Sequence, residues 1–194
     1  MILSCVNFIA LQLNQYIKNT FDINEDIVII SNLVEQDGSI IPQVNNKLVL
    51  CVVNLEKETS VQGRNHHKSS ISATSLSKAL PIHFNVYLLV CANFNGDNYP
   101  ESLKFISTAV AFFQQRNMFN HQNSPELSAG IDKLILDIEN VKSQEMCSLW
   151  NMIGAKYMPS ILYKIRLVSI DPDSPESRET RISKPDYSIH QQAN

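Results

Sequence analysis

Leu149-Trp150-Asn151-Met152-Ile153-Gly154-Ala155-Lys156-Tyr157-Met158-Pro159-Ser160-Ile161-Leu162-Tyr163-Lys164-Ile165-Arg166-Leu167-Val168 changes hydrophobic period in its middle. Before Gly154, Met146, Leu149, Trp150 and Ile153 recur at helical spacing and give the chain's only tryptophan a shared apolar face. After Pro159, Tyr163 and Ile165 alternate with Lys164 and Arg166, the pattern of a strand with one basic face. Gly154 ends the helix and Pro159 marks the bend, so Trp150, Gly154 and Pro159 are the candidate fold-defining residues. Trp150 reads as core rather than as an exposed anchor, which requires an acceptor for its indole N–H. Lys164, Arg166 and, across the bend, Lys156 are the candidate protein-interface residues. Simple solvation is the alternative to pairing with a partner's carboxylates. The stretch holds no nucleophile, ligand cluster or phosphate loop, and points toward assembly.

Working outward, Leu3, Val6, Ala10, Leu13 and Ile17 predict an amphipathic helix from Ile2 to about Asn19. Ile27 to Val34 reads as a strand. Lys47 to Leu55 is almost continuously apolar, which predicts burial on both faces and so layers above and below a sheet. Pro81 to Phe94 returns to strand. Ile82, Phe84, Val86, Leu88 and Val90 lie on one face, and the other begins polar at His83, Asn85 and Tyr87, where it meets solvent or a neighbour. Pro100 suits the first position of a helix running to Arg116, with Leu103, Ile106, Val110 and Phe113 as its stripe and Phe105, Ala109 and Phe112 widening it. Ile131 to Val141 alternates, with Leu134, Leu136 and Ile138 inward and Lys133, Asp137 and Glu139 outward. Ser143 is the expected cap of the next helix. The order implies an α/β (α+β) fold: one mixed β-sheet covered by helices. The expected domain is 1–170, with a polar loop at about 57–79 and a polar tail at 171–194 that has no core of its own.

The 194 residues suffice for a full core, and the formal charge of −3 gives no basic field for nucleic acid. The four cysteines are scattered without metal or redox spacing, and read as buried free thiols in a cytosolic protein. The N-terminus lacks the positive region of a signal peptide, and no run of 18 apolar residues suggests a membrane span.

Signals for chemistry are weak. His66-His67 has no carboxylate or cysteine nearby to complete a metal site, and reads as a solvated loop. Glu56 and Glu58 share a strand phase that permits paired acid/base work, but Lys57 between them favours a solvated strand end. His83 would matter in a small hydrolase only inside a cleft with a carboxylate and a hydroxyl or water. None of the five glycines belongs to a phosphate-cradling run. No catalytic residue, metal or cofactor is assigned.

Several separated blocks resemble a known family. They are Val49 to Glu56, Asn85 to Val90, Tyr99 to Ser107, Phe112-Phe113-Gln114, Leu134 to Asn140, and Leu149-Trp150 through Gly154 to Ser160 and on to Arg166. In this order and spacing, over about residues 3 to 171, they resemble the cap or tail-terminator proteins of phage-tail-like contractile injection systems. These include extracellular contractile particles and related type VI secretion systems, and the family was formerly a bacterial domain of unknown function. The resemblance implies a tail-terminator-like fold and a non-enzymatic subunit, without cofactors, that closes into a homohexameric ring. The ring engages the inner-tube protein and the contractile sheath protein, and ends their polymerisation at the end of the particle away from the baseplate. It also implies assembly in the cytoplasm, on a particle that is released or membrane-anchored, without direct membrane insertion of this subunit. Sheath strand exchange makes the segment after Asp171 a candidate contributor to contacts by β-addition. A baseplate or sheath-adaptor component is the alternative within the same kind of particle.

Overall fold

The computed structural model describes residues 1–39, 41–58, 82–94 and 96–170, with backbone alone for 167–170. Its elements are α1 (Ile2–Phe21), β1 (Val28–Ile30), β2 (Lys47–Lys57), β3 (Ile82–Asn93), α2 (Tyr99–Gln115), β4 (Met118–Asn120), β5 (Lys133–Ile138), α3 (Ser143–Ile153) and β6 (Ser160–Ile170). The strands form one six-stranded sheet ordered β1-β2-β3-β6-β5-β4. The β1–β2 pair is parallel and the others are antiparallel, so the sheet is mixed.

Alternation of side chains along the central strands feeds two cores. Leu50, Leu88, Val90, Leu136 and Ile165 point toward α1 and α2, where an aromatic cluster fills the layer. Tyr16 meets Phe112 with ring centroids 5.0 Å apart, Phe21 meets Phe105 at 5.4 Å, and Phe113 meets Tyr163 at 4.9 Å. Val49, Leu89, Cys91 and Leu162 point the other way, to Trp150 of α3 and to Leu33, Ile41 and Val44. The apolar run in β2 is covered on both sides at Leu48–Leu50 but not, as its continuous pattern predicts, to Leu55: Val52 and Leu55 are exposed, beyond the stretch that β1 pairs.

Asn14 lies within the apolar face of α1 and is buried. Its Oδ1 accepts from the N–H groups of Ile27 and Val28 at 3.0 and 2.8 Å, and its Nδ2 donates to the Val28 carbonyl at 2.8 Å. One amide thus ties the edge strand β1 to α1, meeting backbone groups that would otherwise be buried unpaired.

Several sequence expectations shift. The first strand contracts to Val28–Ile30 and the fifth to Lys133–Ile138, the residues that keep ladder pairing with β2 and with β4 and β6. Ile138, expected inward, is largely exposed. A helix covers only the surface it crosses, and the end of β5 borders an open groove beside Phe113 and Gln114 near the end of α2. The buried line of α2 is Phe105, Ala109 and Phe112–Phe113, whereas Leu103 is exposed and Ile106 and Val110 are half-buried. Leu103 and Phe105 are nearly opposite on a helix, so one packed side excludes the other. Leu3, expected on the buried stripe of α1, is exposed. Helix α2 starts at Tyr99 with Asn98 as its cap, so Pro100 stands one position further in. Ser143 is the first residue of α3 rather than its cap, and the Glu145 carboxylate accepts from the Lys142 N–H at 3.1 Å. Met118 and Phe119 belong to the short strand β4, where Phe119 is fully buried. Cys5, Cys51 and Cys91 are buried free thiols, but Cys147 is exposed on the outer side of α3. Among the described residues no helix is long and apolar enough to cross a membrane.

Candidate protein interface

The expected helix-stop-strand junction is built as read. Gly154 adopts φ +77° at the end of α3, and its N–H returns to the Trp150 carbonyl at 3.0 Å. That left-handed geometry favours glycine. The Pro159 carbonyl accepts from the Ala92 N–H at 2.9 Å, which docks the bend on β3 just before β6 begins. Trp150 is buried, and Tyr157 meets it edge-on at 5.7 Å. Its Nε1–H has no acceptor among the described residues.

The three candidate cations have different surroundings. Lys164 and Arg166 project from β6 on the α3 side of the sheet, beyond the part that α3 covers, in a cross-strand polar lattice. Arg166 Nε lies 2.9 Å from Asp137 Oδ2 on the adjacent β5. Lys164 pairs in register with Tyr87, and its Nζ lies 5.4 Å from that ring's centroid. Hydrogen bonding to Tyr87 is the main cause holding the Lys164 ammonium above its ordinary range. Tyr87 Oη in turn donates to Glu56 Oε2 at 2.7 Å, and burial together with that bond pushes the phenol pKa up. Both cations therefore already have partners within the chain. Lys156 lies in the exposed turn after α3 and has no hydrogen bond or ion pair among the described residues.

Glu56 and Glu58 do not form a catalytic pair. Glu56 also accepts from Asn54 at 3.2 Å, while Glu58 accepts from the Asn85 amide at 2.9 Å, so each is held by a neighbouring amide on the sheet surface. Among the described residues no group of three His, Cys, Asp or Glu side chains has the arrangement of a metal site. His66-His67 and the segment after Ile170 lie outside the described residues.

What the sequence reading missed is a groove along the outer side of α3. It has a volume of about 600 Å³, with walls that include Val141, Met146, Trp150 and Tyr157 and with Lys156 and the exposed Cys147 at its margin. The available signal was Cys147 and Tyr157, both exposed beside the apolar line of α3. At the opposite end of the sheet the outer flank of β2 is open. Strand β1 pairs only as far as Leu50, and among the described residues no strand pairs with the outer edge of Val52 to Lys57. A register shift at Val53 bends β2 there, and Val52 and Leu55 are exposed.

A search of curated proteins returns no match. Among solved structures the chain is similar to one from a cryo-EM study of an extracellular contractile injection system, a PVC sheath/tube terminator in the extended state. The TM-score is 0.52 and the identity 14%, with 100% of this chain and 64% of that chain covered. The chain thus spans less than two thirds of the length of that terminator, and the likeness establishes the shared fold. A profile of the Pvc16 N-terminal domain family matches residues 6–184, and the protein belongs to that family.

Proposed function

We propose that this protein is a structural, non-enzymatic subunit of a contractile injection particle, forming a ring that ends tube and sheath growth at the end distal to the baseplate. The observation that carries the reading is the whole-chain likeness in fold to a sheath/tube terminator, joined to the family match. The physical arrangement suits such a role. A sheet fixed on both sides at one end and left open at the other offers distinct surfaces to identical neighbours and to the tube beneath. A closed ring also limits lateral growth. On this reading the neighbours are copies of the chain, as a homohexamer, together with the inner-tube and sheath proteins. The ring unit is the domain 1–170, and assembly takes place in the cytoplasm. Of the three cations, Lys156 is the principal contact, while Arg166 shares any incoming carboxylate with Asp137.

Particles produced without this subunit provide the test. Tubes of uncontrolled length or unstable particles are the expected result. Particles of normal length with intact ends overturn the reading, and a labelled subunit found at the baseplate transfers it to the adaptor role.

A further inference from the structure

We infer that the groove on α3 receives the open end of β2 from a second copy of this chain. The groove presents apolar walls at Met146, Trp150 and Tyr157 and, at Lys156, an ammonium with no carboxylate partner among the described residues. Its occupant is therefore a segment with an apolar side chain and a carboxylate close together. The described surface of this same chain displays that set at the open end of β2. Leu55 is 44% exposed, the adjacent Glu56 is exposed, and the outer edge of Val52 to Lys57 pairs with no strand among the described residues.

Leu55 and Glu56 point to opposite sides of β2, so a partner approaching its edge meets both at once. In the contact Leu55 meets the apolar wall and Glu56 meets Lys156. Glu56 keeps its bond from Tyr87, because a carboxylate has lone pairs for several donors. Groove and strand end lie toward opposite ends of the sheet. The contact therefore joins two different surfaces and propagates from copy to copy, closing as a ring when the rotation permits. This deepens the ring-forming reading, but it concerns contacts between copies and not the position of the ring on a particle.

The test is a charge exchange in the full chain, with association followed by sedimentation over a range of concentrations. Lys156→Glu and Glu56→Lys should each weaken association by about tenfold or more, as loss of an interfacial charge pair does. The variant carrying both substitutions should recover it, since the two charges are then exchanged across the contact and again attract. Circular dichroism checks the fold, and Leu55→Glu, at an exposed site, supplies a second disruption independent of the Tyr87 bond. Cys147 gives a separate readout, because it lines the groove and its alkylation should slow about tenfold in the associated state, in proportion to the occupied fraction. A chain that stays monomeric at every concentration overturns the inference. So does failure of the double variant to recover, or Cys147 alkylation that is equally fast in associated and dispersed protein. Association that ignores these substitutions removes the proposed surface and leaves the cap reading intact. Normal particles without the subunit remove the cap reading and leave the self-contact.

Discussion

Leu50 and Leu55 occupy the same strand five residues apart, yet they belong to different kinds of surface. Leu50 is fully buried between the sheet and the α1/α2 layer, whereas Leu55 is 44% exposed on the open end of β2. The difference follows from what covers each end of the sheet. Near Leu48–Leu50, helices and the Leu33–Val44 segment close both faces, and β1 closes the edge. Beyond Val52 the edge pairs with no strand among the described residues, and the α3-side face carries the lattice of Glu56, Tyr87, Lys164, Asp137 and Arg166. One end of the same strands therefore supplies the stability of the fold, and the other supplies a surface.

The largest expected effect tests the closed end. Leu50→Ala should lower unfolding stability by about 2–5 kcal/mol, the cost of a core cavity, while Leu55→Ala should stay within about 0.5 kcal/mol. Urea titration of the pair checks this, and equal losses would break the distinction. Asn14→Ala strands the Ile27 and Val28 amides and should cost about 1–3 kcal/mol for an unsatisfied buried group. Hydrogen exchange should then show Val28–Ile30 opening before β3. At the junction, Gly154→Ala forces a side chain into the left-handed region and should cost about 1–2 kcal/mol, read as a lower thermal midpoint. The smallest effect belongs to the lattice. Arg166→Gln removes a half-exposed ion pair to Asp137 and should change monomer stability by less than about 1 kcal/mol. A larger loss would move the open end into the structural core.

Thiol reactivity sharpens the same contrast without mutation. Burial pushes the Cys5 pKa up to about 12 and raises that of Cys91 too, so both remain protonated and covered. In the dispersed native protein Cys147 should be alkylated first, with Cys5 and Cys91 reacting only as the protein unfolds. Mass spectrometry of the labelled peptides distinguishes the sites.

The helix through Trp150, its stop at Gly154 and the alternation after Pro159 were legible because each is a local backbone signal. The continuous apolar run at Leu48–Leu50 likewise announced a two-sided core. Asn14 was not legible as a structural residue, since a polar side chain within an amphipathic helix ordinarily marks the solvent face. Its role depends on a strand edge that arrives 13 residues later in sequence. The basic reading of Lys164 and Arg166 was correct about direction and silent about Asp137 and Tyr87, which come from other strands.

Periodicity sufficed to establish the helices, the central strands and the layered α/β class, because side-chain direction repeats with the backbone. Whether a given direction ends in core, in an internal ion pair or in open groove depended on elements distant in the chain. Lys156 and Arg166 are equally charged in sequence. Packing gives Arg166 a carboxylate at 2.9 Å and places Lys156 beside a groove with no partner among the described residues, since Coulombic pairing is set by distance in space and not along the chain.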